Sequence, residues 1–173
     1  MGRKIRMVPP NWQHPKDAKG NYIPLRNGFA QAETEWNEGY AAWQRGEIED
    51  WLPENHGPTK WKPKTEAALK CASFSEWRGG RPSPDEYMPA FADGSATMLM
   101  MYEDTSEGTP ISPAFKTPEE LARWLADTEA SAFGGMTATY EQWLATCKAG
   151  WSVSMVLANG KMMSGVEAQA TVN

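Results

Sequence analysis

Two consecutive helices constrain the fold of this chain more than any other feature of its sequence. Thr117, Pro118 and Glu120 supply a side-chain cap, a proline at the first helical position and a carboxylate three residues after the cap. Apolar residues then recur at helical spacing, and a second helix is expected from Ala138, with Thr137 as its cap. Trp124 and Trp143 lie on the apolar faces of these helices and are expected in the core. Both helices need a surface on which to bury their apolar faces.

The strongest strand pattern directly precedes these helices, at Met98–Glu103. It carries large side chains on both faces, which predicts a central strand. Further strands are expected at Lys4–Val8 and in a hairpin over Ser152–Met163, with Asn159-Gly160 as its turn. Another helix is predicted over Phe29–Gln44 from the spacing of its aromatic residues.

Together these elements predict an α+β fold in one domain over residues 1–173. In this fold, a small antiparallel sheet of Met98–Glu103, the C-terminal hairpin and the N-terminal strand is covered on one face by helices beginning at Phe29, Pro118 and Ala138. The 13 prolines and 9 tryptophans indicate long ordered loops. The small polar residues from about residue 165 onward are expected to fray.

Charge, hydropathy and cysteine content argue against several classes of protein. The formal net charge of −5 has the wrong sign for a general nucleic-acid binder. No apolar run reaches the length of a membrane span. Cys71 and Cys147 lie far apart in a sequence without a secretory signal, so a reduced cytosol is the expected compartment.

The sequence contains no familiar catalytic or metal-binding motif. Its cysteines and histidines are not at the spacing of a zinc site, so neither a metal nor another cofactor is expected. These residues are Cys71, Cys147, His14 and His56. His14 could act as a base or bind a phosphate, or it could cap a turn through a backbone hydrogen bond.

The segment Glu107–Pro113 is the strongest candidate for a binding site. It follows the best strand and precedes a helix, where hydroxyls, backbone amides and a helix N-terminus suit an anion. The alternative is a rigid strand-to-helix connection. Trp12, Trp51 and Trp61 lie in proline-rich coil, where a ring either stacks on a ligand or fixes a loop. The predicted ligand-binding residues are Trp12, His14, Lys16, Tyr102, Thr109 and Ser112.

Several segments resemble a family of bacteriophage and prophage accessory proteins that has no established activity. The matching segments are Val8–Pro15, Gly20–Leu25, Glu107–Pro113, Thr117–Ala126, Met136–Ala145 and Ser164–Ala168. They are spread over nearly the whole chain. The resemblance implies a small protein made in the cytoplasm of an infected or lysogenic bacterium, and it brings no catalytic residue with it.

The absence of a catalytic motif and the aromatic-rich loops favour a non-catalytic binding protein over an enzyme. In the first hypothesis the protein is a counter-defence factor that sequesters a nucleotide-type immune signal. Alternatively, it inhibits a host defence protein by direct contact, it is an enzyme that uses His14 and a carboxylate such as Glu107, or it is a minor virion or assembly component. Self-association into a homo-oligomer is left open.

Overall fold

The computed structural model describes residues 2–50, 60–104, 108–158 and 160–170. Its mixture of helices and antiparallel strands confirms the predicted α+β class. Contacts divide the chain into two compact units, one formed by the residues up to Arg26 and from Pro89 onward, the other by Asn27–Met88. The expectation of one domain over residues 1–173 stays a prediction.

The regular elements are short, apart from one helix of 16 residues. In chain order they are β1 (Arg3–Val8), α1 (Phe29–Gln44), β2 (Glu47–Glu49), β3 (Trp61–Pro63), α2 (Glu66–Leu69), α3 (Phe74–Arg78), a 3₁₀ turn (Pro84–Glu86), β4 (Met98–Glu103), β5 (Thr109–Phe115), α4 (Pro118–Asp127), α5 (Tyr140–Ala149), β6 (Trp151–Ser152), β7 (Met155–Ala158), β8 (Lys161–Ser164) and α6 (Gly165–Gln169). Within the described ranges, no helix is long and apolar enough to cross a membrane.

The first unit is built on a four-stranded sheet in the order β5-β4-β1-β6. β4 is central, as predicted for Met98–Glu103, and β1 pairs antiparallel with it along its whole length. The N-terminal strand is therefore confirmed as well. β6 extends the sheet by only two residues beyond β1.

Helices α4 and α5 bury an apolar core against one face of this sheet. Leu121, Leu125 and Trp143 are fully buried together with Met101 of β4. Trp143 thus occupies the core position predicted for it, whereas Trp124 is only half-buried. Because successive side chains of a strand point to opposite faces, Met101 marks the helix-covered face and its neighbour Tyr102 marks the other.

The C-terminal hairpin forms, but it does not join the main sheet. Among the described strands β7 and β8 pair only with each other, while Trp151–Ser152 joins β1 as β6. The prediction that Ser152–Met163 extends the main sheet is therefore wrong, because the chain leaves that sheet at Val153. Asn159 of the predicted turn lies outside the described residues.

Two helix ends also differ from expectation. α5 begins at Tyr140 and is capped by Thr139 rather than Thr137, because Gln142 completes a capping box with Thr139. Gly165–Gln169 form a helix where a frayed tail is predicted. Val166 is fully buried in the core. A side chain at position 165 would meet the carbonyl of Val153, so this helix can begin there only with glycine.

The second unit packs aromatic rings of α1 around Phe74 of α3. The ring centroids of Trp36, Tyr40 and Trp43 lie 5.3, 6.1 and 5.9 Å from that of Phe74. Gly39 makes room for this ring, since a Cβ there would lie 2.7 Å from it. The predicted helix is confirmed and its tryptophans are half-buried. Its predicted place on the main sheet stays a prediction.

The start of α4 provides a direct test of the local energetics. The Thr117 hydroxyl accepts a hydrogen bond from the Glu120 amide at 3.2 Å, and the Glu120 carboxylate accepts one from the Thr117 amide. Thr117→Ala is expected to lower the free energy of unfolding by about 1 kcal/mol, because it removes the acceptor at the helix start. Urea unfolding measures this change. Thr117→Ser keeps the acceptor and should stay near the wild type, and equal losses in both variants would contradict the cap.

Candidate functional site

The segment between β1 and α1 forms a loop over the sheet face opposite the helices. We call residues 9–26 the N-terminal loop. Its middle part is a small hairpin, in which the Ile23 amide donates to the Pro15 carbonyl and Lys16 forms a β-bridge with Tyr22. Asp17 closes the hairpin by accepting hydrogen bonds from the backbone amides of Lys19 and Asn21. The loop is therefore ordered without belonging to the sheet.

The hydroxyl of Tyr102 fixes this loop to the sheet. It accepts a hydrogen bond from the indole nitrogen of Trp12 at 3.2 Å and lies 3.1 Å from Nδ1 of His14. The other ring nitrogen of His14, Nε2, lies 2.7 Å from the carbonyl oxygen of Ile23. Three parts of the loop are thereby linked to one fully buried side chain of β4.

These partners determine the tautomer of His14. A carbonyl oxygen only accepts hydrogen bonds, so Nε2 carries the proton and donates to Ile23. Nδ1 is then free to accept from the Tyr102 hydroxyl. Every polar atom of this chain of hydrogen bonds is satisfied when His14 is neutral, and protonation would place a second donor on Nδ1.

Burial also opposes protonation of His14. It lowers the pKa of the imidazole below its ordinary value of 6.5, the hydrogen bond to Ile23 raises it, and the positive charge of Arg6 lowers it further. His14 is 6% exposed. Of the alternatives for this residue, the geometry supports the one in which its ring is bonded to the backbone and holds a loop.

The end of the loop is held by a second set of contacts around Leu25. The Leu25 carbonyl accepts a hydrogen bond from Nη1 of Arg6 at 2.7 Å, and its amide donates to the Gly108 carbonyl. A Cβ at position 108 would meet the Leu25 carbonyl, and the backbone there has a φ of 59°. Glycine is thus required where the loop meets the start of β5. The Arg6 guanidinium also lies 4.3 Å above the Tyr102 ring and pairs with Asp104.

An irregularity in β5 opens the edge of the sheet next to this loop. Met100 lies opposite Ala114 and Tyr102 opposite Pro110, so β5 contains extra residues between these two pairs. The Met101 amide there donates to the hydroxyl of Ser112 at 2.9 Å, and this hydroxyl donates to the Pro113 carbonyl. Ser112 therefore replaces a missing backbone acceptor at the bulge.

The N-terminal loop, β4, the bulge of β5 and α4 enclose a groove of about 760 Å³. This volume is within the usual range for small-molecule sites. Aromatic rings, prolines and a few polar side chains share the lining. The lining residues are Pro10, Trp12, Gln13, His14, Lys16, Tyr22, Met100, Pro110, Ile111, Ser112, Pro113, Ala114 and Trp124.

The groove brings together four of the six predicted ligand-binding residues, namely Trp12, His14, Lys16 and Ser112. Tyr102 lies beneath its wall and is fully buried under Arg6, so its ring cannot stack on a ligand. Thr109 pairs with Glu103 in β5 and is not among the lining residues.

From Thr109 onward, the segment expected between the best strand and a helix is itself a strand at the edge of the sheet, β5 (Thr109–Phe115). Proline is tolerated at such an edge, where its missing amide leaves no ladder partner unsatisfied. The Ser112 hydroxyl already donates its one proton to the Pro113 carbonyl, so a hydrogen bond from it to a phosphate would have to replace that contact. Trp51, His56 and Glu107 lie outside the described residues.

Nine of the thirteen lining residues are not among the predicted ligand-binding residues, and three of these nine are side chains suited to contact a ligand. Tyr22 is 40% exposed and supports Lys16, whose ammonium lies 4.6 Å from the centre of its ring. Trp124 was assigned to the core from its helical spacing, but it packs on the core with one part and lines the groove with another. For Gln13, the sequence indicates no role in binding other than its position between Trp12 and His14.

The cysteines and acidic residues offer no second site of this kind. In the part of the chain that the structure describes, no three His, Cys, Asp or Glu side chains lie close enough to hold a metal ion. Burial raises the pKa of the Cys147 thiol to about 12, and Glu119 adds to this shift. Such a thiol is a poor nucleophile.

The neutral state of His14 predicts how stability depends on pH. Since the folded protein resists protonation of His14 and the unfolded chain does not, the unfolded state binds more protons below about pH 6.5. The free energy of unfolding should therefore fall between about pH 7.5 and about pH 5.5. His14→Gln, which does not titrate, should show a clearly smaller fall in denaturant unfolding.

His56→Gln serves as the matched control, because it removes the other histidine of the chain. It should keep the part of the pH dependence that His14 causes. The assignment of His14 is contradicted if His14→Gln loses as much stability over this pH range as the wild type does.

Comparisons with known proteins assign no family to this chain. No protein-family model matches the sequence, and neither a curated protein nor a solved structure matches it. The function of the groove is therefore argued from its own residues.

Proposed function

We propose that this chain is a non-catalytic binding protein that captures a nucleotide-type ligand in the groove. One observation carries the proposal: the groove combines aromatic rings with a single lysine and, among its described lining residues, no carboxylate. A planar base and an anionic phosphate are the two chemical features that such a lining complements.

The rings are accessible enough to contact a ligand. Trp12 and Trp124 are half-buried and Tyr22 is exposed, so each has part of its surface in the groove. Trp12 is also held by its hydrogen bond to Tyr102 and by an edge contact to Phe91, whose ring centre lies 5.1 Å away. A ring fixed in this way loses little entropy on binding, and stacking on a base contributes about 1–3 kcal/mol.

Lys16 supplies the charge. Its side chain is exposed, and no carboxylate of the described residues lies within ion-pair distance of it. The neighbouring carboxylate, that of Asp17, accepts hydrogen bonds from the backbone amides of Lys19 and Asn21 instead. An ammonium can bind a phosphate in several geometries, which suits a site without a rigid phosphate loop.

The polar groups of the groove favour binding over catalysis. Both ring nitrogens of His14 are engaged, and the Ser112 hydroxyl is engaged as donor and as acceptor. Neither is placed as a general base or a nucleophile for a bound ligand. In this proposal, the polar groups keep the groove in shape and the rings and Lys16 contact the ligand.

The biological setting of the proposal rests on the resemblance to bacteriophage and prophage proteins. In that setting the chain acts in the cytoplasm of the bacterial host, where it sequesters a nucleotide-type signal of host defence. No enzymatic turnover is required, since a protein that holds such a signal lowers its free concentration.

A second candidate is inhibition of a host protein by direct contact. It is favoured by exposed apolar side chains near the C-terminus. Trp151, Leu157 and Met162 are 55, 73 and 53% exposed, respectively. Exposed apolar residues that cluster on a surface commonly mark a protein interface.

The proposal predicts that nucleotides stabilise the protein through Lys16 and Tyr22. In a thermal-shift screen, at least one nucleotide should raise the melting temperature of the wild type, because a ligand that binds only the folded state stabilises it. Lys16→Gln should weaken its binding by roughly tenfold, the loss expected for one hydrogen bond to a charged group. Tyr22→Leu should weaken it through lost stacking.

Lys19→Gln is the matched control, since Lys19 is an exposed lysine of the same loop outside the groove lining. It should bind as the wild type does. If no nucleotide shifts the wild type, or if Lys16→Gln binds equally well, nucleotide capture in this groove is ruled out.

A further inference from the structure

The number of cations at the groove limits how much negative charge a ligand can bring. Lys16 is the one formally charged side chain among the described lining residues. Gln13 lies on the same loop and offers hydrogen bonds without a charge. One ammonium offsets the single charge of a phosphate diester and about half of the charge of a monoester, whereas a triphosphate brings several further negative charges to a chain whose net charge is −5.

The two arginines of β1 do not add to this positive charge. Arg3 is buried and pairs with Glu103, while Nε and Nη2 of Arg3 donate to the Ser131 carbonyl. Arg6 is buried, lies over the Tyr102 ring and pairs with Asp104. Neither guanidinium is among the groove residues, and each pairs with a carboxylate.

A divalent cation could in principle offset the charge of a polyphosphate. Mg²⁺ is usually bound by one or two protein carboxylates together with the phosphates. The described lining contains no carboxylate that could take this part. A triphosphate would therefore reach the groove without a protein-held metal ion.

We propose that the groove selects nucleotides with a single phosphate group, as a monoester or a diester, and gains nothing from further phosphates or from Mg²⁺. The inference rests on the proposed function, because it concerns the ligand of the same groove. The base stacks on the rings, the one phosphate pairs with Lys16, and additional phosphates would remain in solvent near a negatively charged protein.

Titration calorimetry with matched probes tests this selectivity. The probes are adenosine, AMP, 3′,5′-cyclic AMP and ATP, the last with and without Mg²⁺, together with the corresponding guanine and uracil compounds. For the base that binds best, both single-phosphate forms should bind roughly tenfold tighter than the nucleoside, as expected for one hydrogen bond to a charged group. The triphosphate of that base should bind no tighter than its monophosphate, and Mg²⁺ should not change this order of affinities.

Two variants test whether charge at the groove causes the preference for a single phosphate group. In Lys16→Gln, the single-phosphate forms should bind no tighter than the nucleoside binds to the same variant. Gln13→Lys places a second cation on the groove and should improve binding of the triphosphate more than binding of the monophosphate. Rising salt concentration should reduce the advantage of the phosphate.

The outcomes separate the two proposals. If none of the probes binds, the proposed function fails and this inference fails with it. If nucleosides and nucleotides bind but the triphosphate binds tightest, or if Mg²⁺ is required, the proposed function stands and the single-phosphate selectivity is overturned.

Discussion

The buried Tyr102 hydroxyl is the contact on which the candidate site depends. It accepts from Trp12 and donates to His14, and His14 in turn donates to Ile23. Arg6 lies over the same ring and holds the Leu25 carbonyl. Removing the hydroxyl would leave at least one buried polar group without a partner, which costs about 1–3 kcal/mol. The loop that forms one wall of the groove is therefore attached to the central strand by polar contacts rather than by its own apolar core.

The opposite wall of the groove is formed by the edge strand β5. Pro110 and Pro113 cannot donate to a ladder, and β5 contains extra residues between its pairs with β4. At the bulge, the Met101 amide donates to the Ser112 hydroxyl rather than to a backbone carbonyl. This buried donor is therefore satisfied. A regular β5 would bring its side chains into an even row beside β4. The bulge instead turns Ile111–Pro113 toward the space between the loop and α4.

The sequence predicts the elements whose signals are local. Met98–Glu103 and the start of α4 at Thr117 are correct because strand patterning and a capping box are contained within a few residues. The role of Ser112 could not be predicted in this way, since it depends on the register of β5 against Met101. The same holds for Tyr102, whose burial depends on a loop about 90 residues earlier in the chain. Trp124 follows the helical pattern of a core residue, and only the neighbouring bulge makes part of it accessible.

The hydrogen bonds already made by the polar groups explain why the site is better suited to holding a ligand than to transforming one. A general base needs a free lone pair, and His14 uses its one free lone pair to accept from Tyr102. A nucleophilic hydroxyl needs a base beside it, and Ser112 has only backbone partners. The outward parts of the rings, and the Lys16 ammonium that lies over Tyr22, have no hydrogen-bond partner among the described residues, and they attract a ligand without activating it. The hydrogen bonds that give the groove its shape are thus the same ones that withdraw His14 and Ser112 from chemistry.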